Sequence, residues 1–365
     1  MEKKDLSKLS KSFVIDSNLY VSNIKSIFMK KDTRDELGDH KIILNHEENF
    51  NIMSEEKQSL YFKGFKKLVG GTLNSKIFNL AFKKESEFQK TLFETDKDKK
   101  IGTILKSISD NYTYDGDVVI TIAECNLSLD EMLNYEFIVT TVCTVKASKA
   151  QLYCDTEQEE IDITRTSDVI INSESPIEGF IYPTFEEGSI NLSHMLYYNS
   201  KPKEMDKSLV EKKFEVVMER TIYEDKDIFT DIINSGDVSP EQLSNVYEKL
   251  NFKAKEIEEK EGEVALQQSE LTYDEIKEVL EECSIEINEE IIKEKEFNIK
   301  LANIIPTDKK ELKFSNKEYE LKLVPSALEK IQLIKNKQGK DCICIEVDLE
   351  EFNLSGIELK RRYEK

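Results

Sequence analysis

Val118-Val-Ile-Thr-Ile-Ala123 and Phe137-Ile-Val-Thr-Thr-Val-Cys-Thr-Val145 decide the fold class. Both runs are dense in β-branched residues and lack the three- and four-residue apolar spacing of a surface helix. Each therefore predicts a strand, the second over 135–145. The turn Tyr114-Asp-Gly-Asp117 leads into the first. Downstream, further strands are expected at 150–153, 168–172, 179–182 and 194–198.

Upstream, residues 3–12 suit a short helix, and 19–29 and 41–44 suit strands paired across the polar stretch Lys30–Asp39. Ser54-Glu-Glu opens a helix as a cap with an acidic first turn, and Gly70-Gly71 closes it. Ile77–Phe82 reads as a strand and 85–110 as helical.

From about residue 204 the texture changes. Helices are expected over 207–233 and 240–261, the second announced by Ser239-Pro240-Glu241. The Lys- and Glu-rich stretch Lys253–Val264 reads as a solvated helix end or linker. Thr272-Tyr-Asp-Glu275 is a capping-box start. Strands return at 312–314, 319–324 and 342–347, with a short helix expected between 326 and 335. In that tail Leu321, Leu323, Ile343, Ile345 and Val347 are the expected core, by alternation.

The resulting expectation is an α+β (mixed α/β) chain. A strand-rich body would span 1–204, a helical middle 205–265, and a small α+β unit 270–365. Its 365 residues allow two or three packed units. Hydrophobic residues at 39% are enough for a core, so the chain should fold.

Against 52 basic residues stand 73 acidic ones, a formal charge of −21. A field of that sign disfavours general binding to nucleic acid or anionic membrane. The N-terminal decapeptide lacks the apolar core of a secretion signal, and the 137–145 run is far short of the roughly 20 residues of a membrane span. Six scattered cysteines (125, 143, 154, 283, 342 and 344) read as reduced and buried, which makes the cytoplasm the expected compartment.

The motifs that could carry chemistry are weak. Gly70-Gly-Thr-Leu-Asn-Ser-Lys76 follows a helix, the reverse of a phosphate loop, and is read as a helix stop. Asp115, Asp117 and Glu124 could supply carboxylates to magnesium, but turn chemistry explains the first two, and Glu124 lies seven residues beyond Asp117 on an extended strand. Asp308 with Glu320-Leu-Lys322 has the acid and Glu-x-Lys order of one metal-dependent nuclease class, yet Glu-Leu-Lys also occurs at 311–313 and 358–360. His40, His46 and His194 are too far apart in sequence to form a local metal site. No cofactor or metal is expected.

A low-specificity binding edge is expected where aromatics gather, at Gly179, Phe180, Tyr182, Pro183, Tyr197 and Tyr198.

Several stretches resemble a known family. They are Leu68-Val-Gly-Gly-Thr-Leu73, Asn79-Leu-Ala-Phe82, Tyr112-Thr-Tyr-Asp-Gly-Asp117, Tyr135-Glu-Phe-Ile138 with Cys143-Thr-Val145, Gly179-Phe-Ile-Tyr-Pro-Thr-Phe185, and Met195-Leu-Tyr-Tyr-Asn-Ser-Lys-Pro202. In order and spacing they resemble the domain-of-unknown-function 4317 family, common in low-GC Gram-positive bacteria. The resemblance covers most of 1–202, fades through 205–265 and resumes loosely from Leu271. It implies a shared fold and no mechanism. The expected function is a non-catalytic cytoplasmic binding or regulatory module acting on a protein partner. The alternative is a metal-dependent enzyme on nucleotides or nucleic acid, using Asp115, Asp117, Glu124 or the tail carboxylates.

Overall fold

The computed structural model describes residues 3–31, 40–94, 96–128, 134–147, 151–155, 160–164, 169–186, 189–286, 298–305, 312–315, 320–323, 330–335, 339, 341–345, 353–354 and 357–358. The chain divides into two units, Met1–Thr221 and Ile222–Lys365. The N-terminal unit runs α1 (Lys3–Ser12), β1 (Leu19–Lys31), β2 (His40–Asn49), α2 (Glu55–Val69), β3 (Ile77–Phe82), α3 (Glu87–Leu92), α4 (Lys97–Asp110), β4 (Val118–Ser128) and β5 (Asn134–Ala147). It continues through β6 (Gln151–Asp155), β7 (Glu160–Thr164), β8 (Val169–Ile171), β9 (Glu178–Tyr182), β10 (Thr184–Glu186), β11 (Ser189–Asn191), β12 (His194–Asn199), α5 (Lys207–Phe214) and β13 (Val216–Val217).

The nine-stranded sheet has the order β13-β3-β12-β9-β5-β4-β1-β2, with β8 also on β5. Its pairings are antiparallel. Helices cover both faces. One face packs Val21, Ile24, Ala123 and Val139 against Leu6 and Leu9 of α1 and Phe62, Phe65 and Leu68 of α2. The other packs Ile27, Ile120, Ile122 and Phe180 against Phe88 of α3, Ile101, Ile104 and Ile108 of α4, and Phe214 of α5. An antiparallel sheet with one wet face alternates apolar and polar residues. Here both faces are dry, so β4 and β5 read as nearly continuous apolar runs.

Local chemistry sets the element ends. The Ser54 hydroxyl accepts from Lys57 N at the start of α2, and Gly70 closes it by donating to Lys67 O. The helical stretch expected over 85–110 is two helices: Phe93 caps α3, and the Asp96 carboxylate restarts the chain by accepting from Asp98 N and Lys99 N. The helix expected over 207–233 is likewise broken, because Glu215 adopts a left-handed conformation (φ 53°, ψ 44°). Its carboxylate accepts from Ser86 Oγ at 2.8 Å and Phe88 N at 3.0 Å, which turns the chain so that β13 can join β3.

The C-terminal unit contains α6 (Ile222–Asn234), α7 (Pro240–Glu261), α8 (Glu263–Gln268), β14 (Glu270–Thr272), α9 (Tyr273–Glu282), β15 (Asn298–Lys300) and α10 (Leu301–Ile304). Three hairpins follow: β16 (Leu312–Ser315) with β17 (Glu320–Leu323), β18 (Ile331–Lys335) with β19 (Asp341–Ile345), and β20 (Asn353–Leu354) with β21 (Ile357–Glu358). The capping box read at Thr272 is formed with Glu275, and the start announced by Ser239-Pro240 is a capping box as well, closed by Gln242. The fold class is mixed α+β.

Lys253–Val264, read as a solvated helix end or linker, is a helix end: α7 continues to Glu261 with residues 255, 256 and 258–261 exposed, while Ala254 is buried and Ile257 packs on the core. Three other expectations for this half differ from the structure. Phe229, Val246 and Leu250 share that core with Leu271, Ile276, Leu280 and Ile299, so one hydrophobic cluster spans both sides of the boundary drawn at 265–270. The C-terminal half of the helix expected at 326–335 is β18, whose β-branched Ile331 and Ile334 pair with Ile345 and Cys342. Across that hairpin Ile343 is 37% exposed and Ile345 only half-buried, so the alternation of β19 does not make Ile343 a core residue. The side chains of Leu321 and Leu323, and all of Val347, lie outside the described residues.

Candidate functional site

The aromatic stretches expected to form a binding edge lie in the middle of the sheet. β9 is hydrogen-bonded to β12 on one side and β5 on the other, and Gly179, Phe180, Tyr182, Pro183, Tyr197 and Tyr198 are all buried. They are not an exposed edge, because helices cover both faces at this point. Beneath them lies a closed polar cluster. Lys213 Nζ donates to Glu178 Oε1 at 2.5 Å and to Tyr114 OH at 2.9 Å. Tyr114 OH donates to Glu178 Oε1 at 2.7 Å, and Tyr197 OH to Glu178 Oε2 at 3.1 Å. The ammonium also lies 5.1 Å from the Tyr114 ring centroid. Burial, reinforced by the Glu178 carboxylate, holds both phenols well above the ordinary tyrosine range. These groups satisfy one another and leave nothing directed at a ligand.

The carboxylates that could have held magnesium are apart. Asp117 Oδ1 accepts from Lys31 N at 3.0 Å, while Glu124, near the far end of β4, faces Lys97 and Lys100 at 3.8 and 3.7 Å. Seven strand residues separate the two acids by about 23 Å. Among the described residues no group of three or more His, Cys, Asp or Glu side chains is gathered as a metal ion requires. Asp308 and the side chains of Glu320 and Lys322 lie outside the described residues. His46 is exposed and 3.5 Å from Glu48. Burial keeps the His194 imidazole below its ordinary pKa. Gly70 and Gly71 end α2 rather than cradle a phosphate.

An open groove of about 600 Å³ lies between α7 and α9. It follows from helical period. On α7, Val246, Leu250 and Ala254 face the core, Asn245, Lys249 and Lys253 fall on the neighbouring stripe, and Glu248 and Phe252 lie beyond them toward solvent. On α9, Ile276 and Leu280 face inward, leaving Glu275, Glu278, Val279 and Glu282 beside the groove. Two ion pairs span it, Lys249 Nζ to Glu282 Oε2 and Lys253 Nζ to Glu275 Oε1, each at 2.5 Å. Their order shows that the helices run antiparallel across the groove, with Phe252 and Val279 between the two pairs.

Phe252 is 71% exposed. Burial opposes ionisation of Glu275, but the Lys253 ammonium and the Thr272 backbone and hydroxyl donors outweigh it and hold the carboxyl below its ordinary range. The Glu282 carboxylate raises Lys249. At the groove's end the Cys283 thiol is pushed up by burial, so it is not an activated nucleophile.

A family model described as a domain of unknown function (DUF4317) matches residues 1–357. The chain belongs to this family. A search of curated proteins finds no match. The stretches that carry the resemblance of this DUF4317 chain in 68–202 largely supply the buried strands and turns of its first unit. Of the groove, the α7 wall lies where the sequence resemblance faded and the α9 wall where it resumes loosely. Sequence reasoning missed it because Phe252 sits inside a Lys/Glu run. The available signal was its phase: two residues from Leu250, it falls about 200° around the helix from the core stripe. No helix among the described residues is long and apolar enough to cross a membrane.

Proposed function

We propose that this protein is a non-catalytic binding module that receives an apolar side chain of a protein partner in the groove between α7 and α9. The observation that carries this reading is Phe252, an aromatic ring 71% exposed in a concave surface and bracketed by two cross-groove ion pairs. Solvated phenylalanine in a groove gains free energy when covered, and aromatic anchors surrounded by polar rims are the usual energetic centres of interfaces. We infer a cytoplasmic setting for the module: cysteines 125, 143, 283 and 344 are free thiols, which suits a reducing compartment.

The test is selection of a random 16-residue peptide library against the full chain, followed by binding measurements on the Phe252→Ala variant. Peptides that bind the wild type and lose most of their affinity for the variant support the reading. If no peptide is enriched, or if those enriched bind both proteins equally, the groove is not a docking site.

A further inference from the structure

We infer that the occupant of this groove is a cationic amphipathic helix; the inference rests on the docking reading above and names its partner chemistry. The first argument concerns backbone. Both walls are helices, whose main-chain groups are largely spent on their own hydrogen bonds. An extended peptide would find few free N–H or C=O groups to pair with and would forfeit its main-chain bonds on burial. A helix brings its backbone already satisfied and can lay an apolar stripe along such a surface.

The second argument concerns charge. The lining holds four glutamates, 248, 275, 278 and 282, and two lysines, 249 and 253. Both lysines are committed to Glu282 and Glu275. Glu248 and Glu278 are exposed and make no ion pair among the described residues, which leaves one uncompensated carboxylate on each wall. A helix with an apolar residue between the ion pairs, against Phe252 and Val279, would carry its flanking residues over these two acids. Lysine or arginine at those flanks is attracted and glutamate repelled, within a chain whose overall charge is −21.

The experiment uses the full chain and three fluorescein-labelled 16-residue helical probes with the same leucine stripe. Their remaining positions carry lysine and alanine, glutamate and alanine, or glutamine and alanine. Binding is read by anisotropy. The lysine probe is expected to bind saturably and at least about tenfold tighter than the glutamate probe. Phe252→Ala should weaken it about tenfold or more. The double variant Glu248→Lys/Glu278→Lys should reverse the preference, whereas the equally charged Glu136→Lys/Glu204→Lys variant, altered far from the groove in sequence, should not.

Equal binding of the lysine and glutamine probes, with both sensitive to Phe252→Ala, overturns the cationic partner and leaves the docking reading standing. Equal loss in the two charge variants, with no effect of Phe252→Ala, reduces the attraction to net charge and overturns the inference. Failure of all three probes to bind also overturns it, and the library selection then decides the docking reading separately.

Discussion

Lys213 and Glu178, 35 residues apart in sequence, meet at 2.5 Å where both side chains are closed to solvent. A buried ion pair adds little to stability as a pair, but breaking one side strands a charge in a low-dielectric interior. Lys213→Met should therefore cost about 3–5 kcal/mol in urea unfolding. The double variant Lys213→Met/Glu178→Gln should be less damaging than that single variant. It removes the orphan charge, and the amide that replaces the carboxylate keeps a carbonyl to accept from one phenol while its NH2 can donate to the other phenol oxygen. A single variant within about 1 kcal/mol of wild type would show that the pair is hydrated.

Gly179 lies one residue further along β9, and its lack of a side chain is a packing requirement. A Cβ there would stand 2.4 Å from Thr140 O and 2.7 Å from Leu68 Cδ2, where β5 and α2 press on the strand. The backbone oxygen cannot withdraw without breaking sheet pairing, so Gly179→Ala should cost at least about 1–3 kcal/mol. Gly102, exposed on α4 with nothing within 4 Å of an added Cβ, is the matched control. Gly102→Ala should raise stability by about 0.5–1 kcal/mol through helix propensity. Equal effects at the two positions would refute the packing argument.

These sites show where sequence is informative and where it stops. The strand runs, the Ser54, Ser239 and Thr272 caps and the Gly70 stop were legible because each depends on neighbours within a few residues. The left-handed turn at Glu215 was not, because its carboxylate is held by Ser86 and Phe88, more than 100 residues away. Aromatic density at 179–198 suggested a surface, but aromatic content does not distinguish a dry face from an exposed one. Nor could local pattern reveal that Lys213 would neutralise Glu178 there. The groove needed the relative phase of two helices, of which only each helix's own stripe is written in sequence.

The thiols make a prediction that separates burial from chemistry. Burial pushes Cys143 up to about 11 and raises Cys125 and Cys283 as well. Cys344 is exposed and Cys342 partly so. In a Cys154→Ser background, which removes the one cysteine whose side chain is outside the described residues, Ellman's reagent at pH 8 should first titrate Cys344 and Cys342. The other three should react only on unfolding, since the thiolate is the reactive form and the reagent cannot reach a closed core. Fast modification of Cys283, identified by peptide mapping, would mean that the groove end opens to solvent.

The core of the second unit bears on where the chain can be cut. Phe229, Ile232, Val246 and Leu250 from α6 and α7 pack with Leu271, Ile276, Leu280 and Leu301 in one cluster. A fragment starting at residue 270 keeps α9 and the hairpins but loses the apolar partners of Ile276 and Leu280. Its own hairpin β18–β19 presents Ile334 and Ile343 to solvent and offers little in exchange. A fragment spanning 222–365 keeps the cluster whole, together with the Gln242 donor bond to Ser284 O at 2.8 Å and the Lys249–Glu282 pair that join α7 to the end of α9. We therefore expect the 222–365 fragment to give a helical circular-dichroism spectrum and a cooperative urea transition, and the 270–365 fragment to give neither. The Phe229→Ala change should lower the midpoint of the longer fragment, by about 3–5 kcal/mol of stability if the cavity stays open. A cooperative transition in the 270–365 fragment alone would instead make α6 and α7 dispensable to that fold.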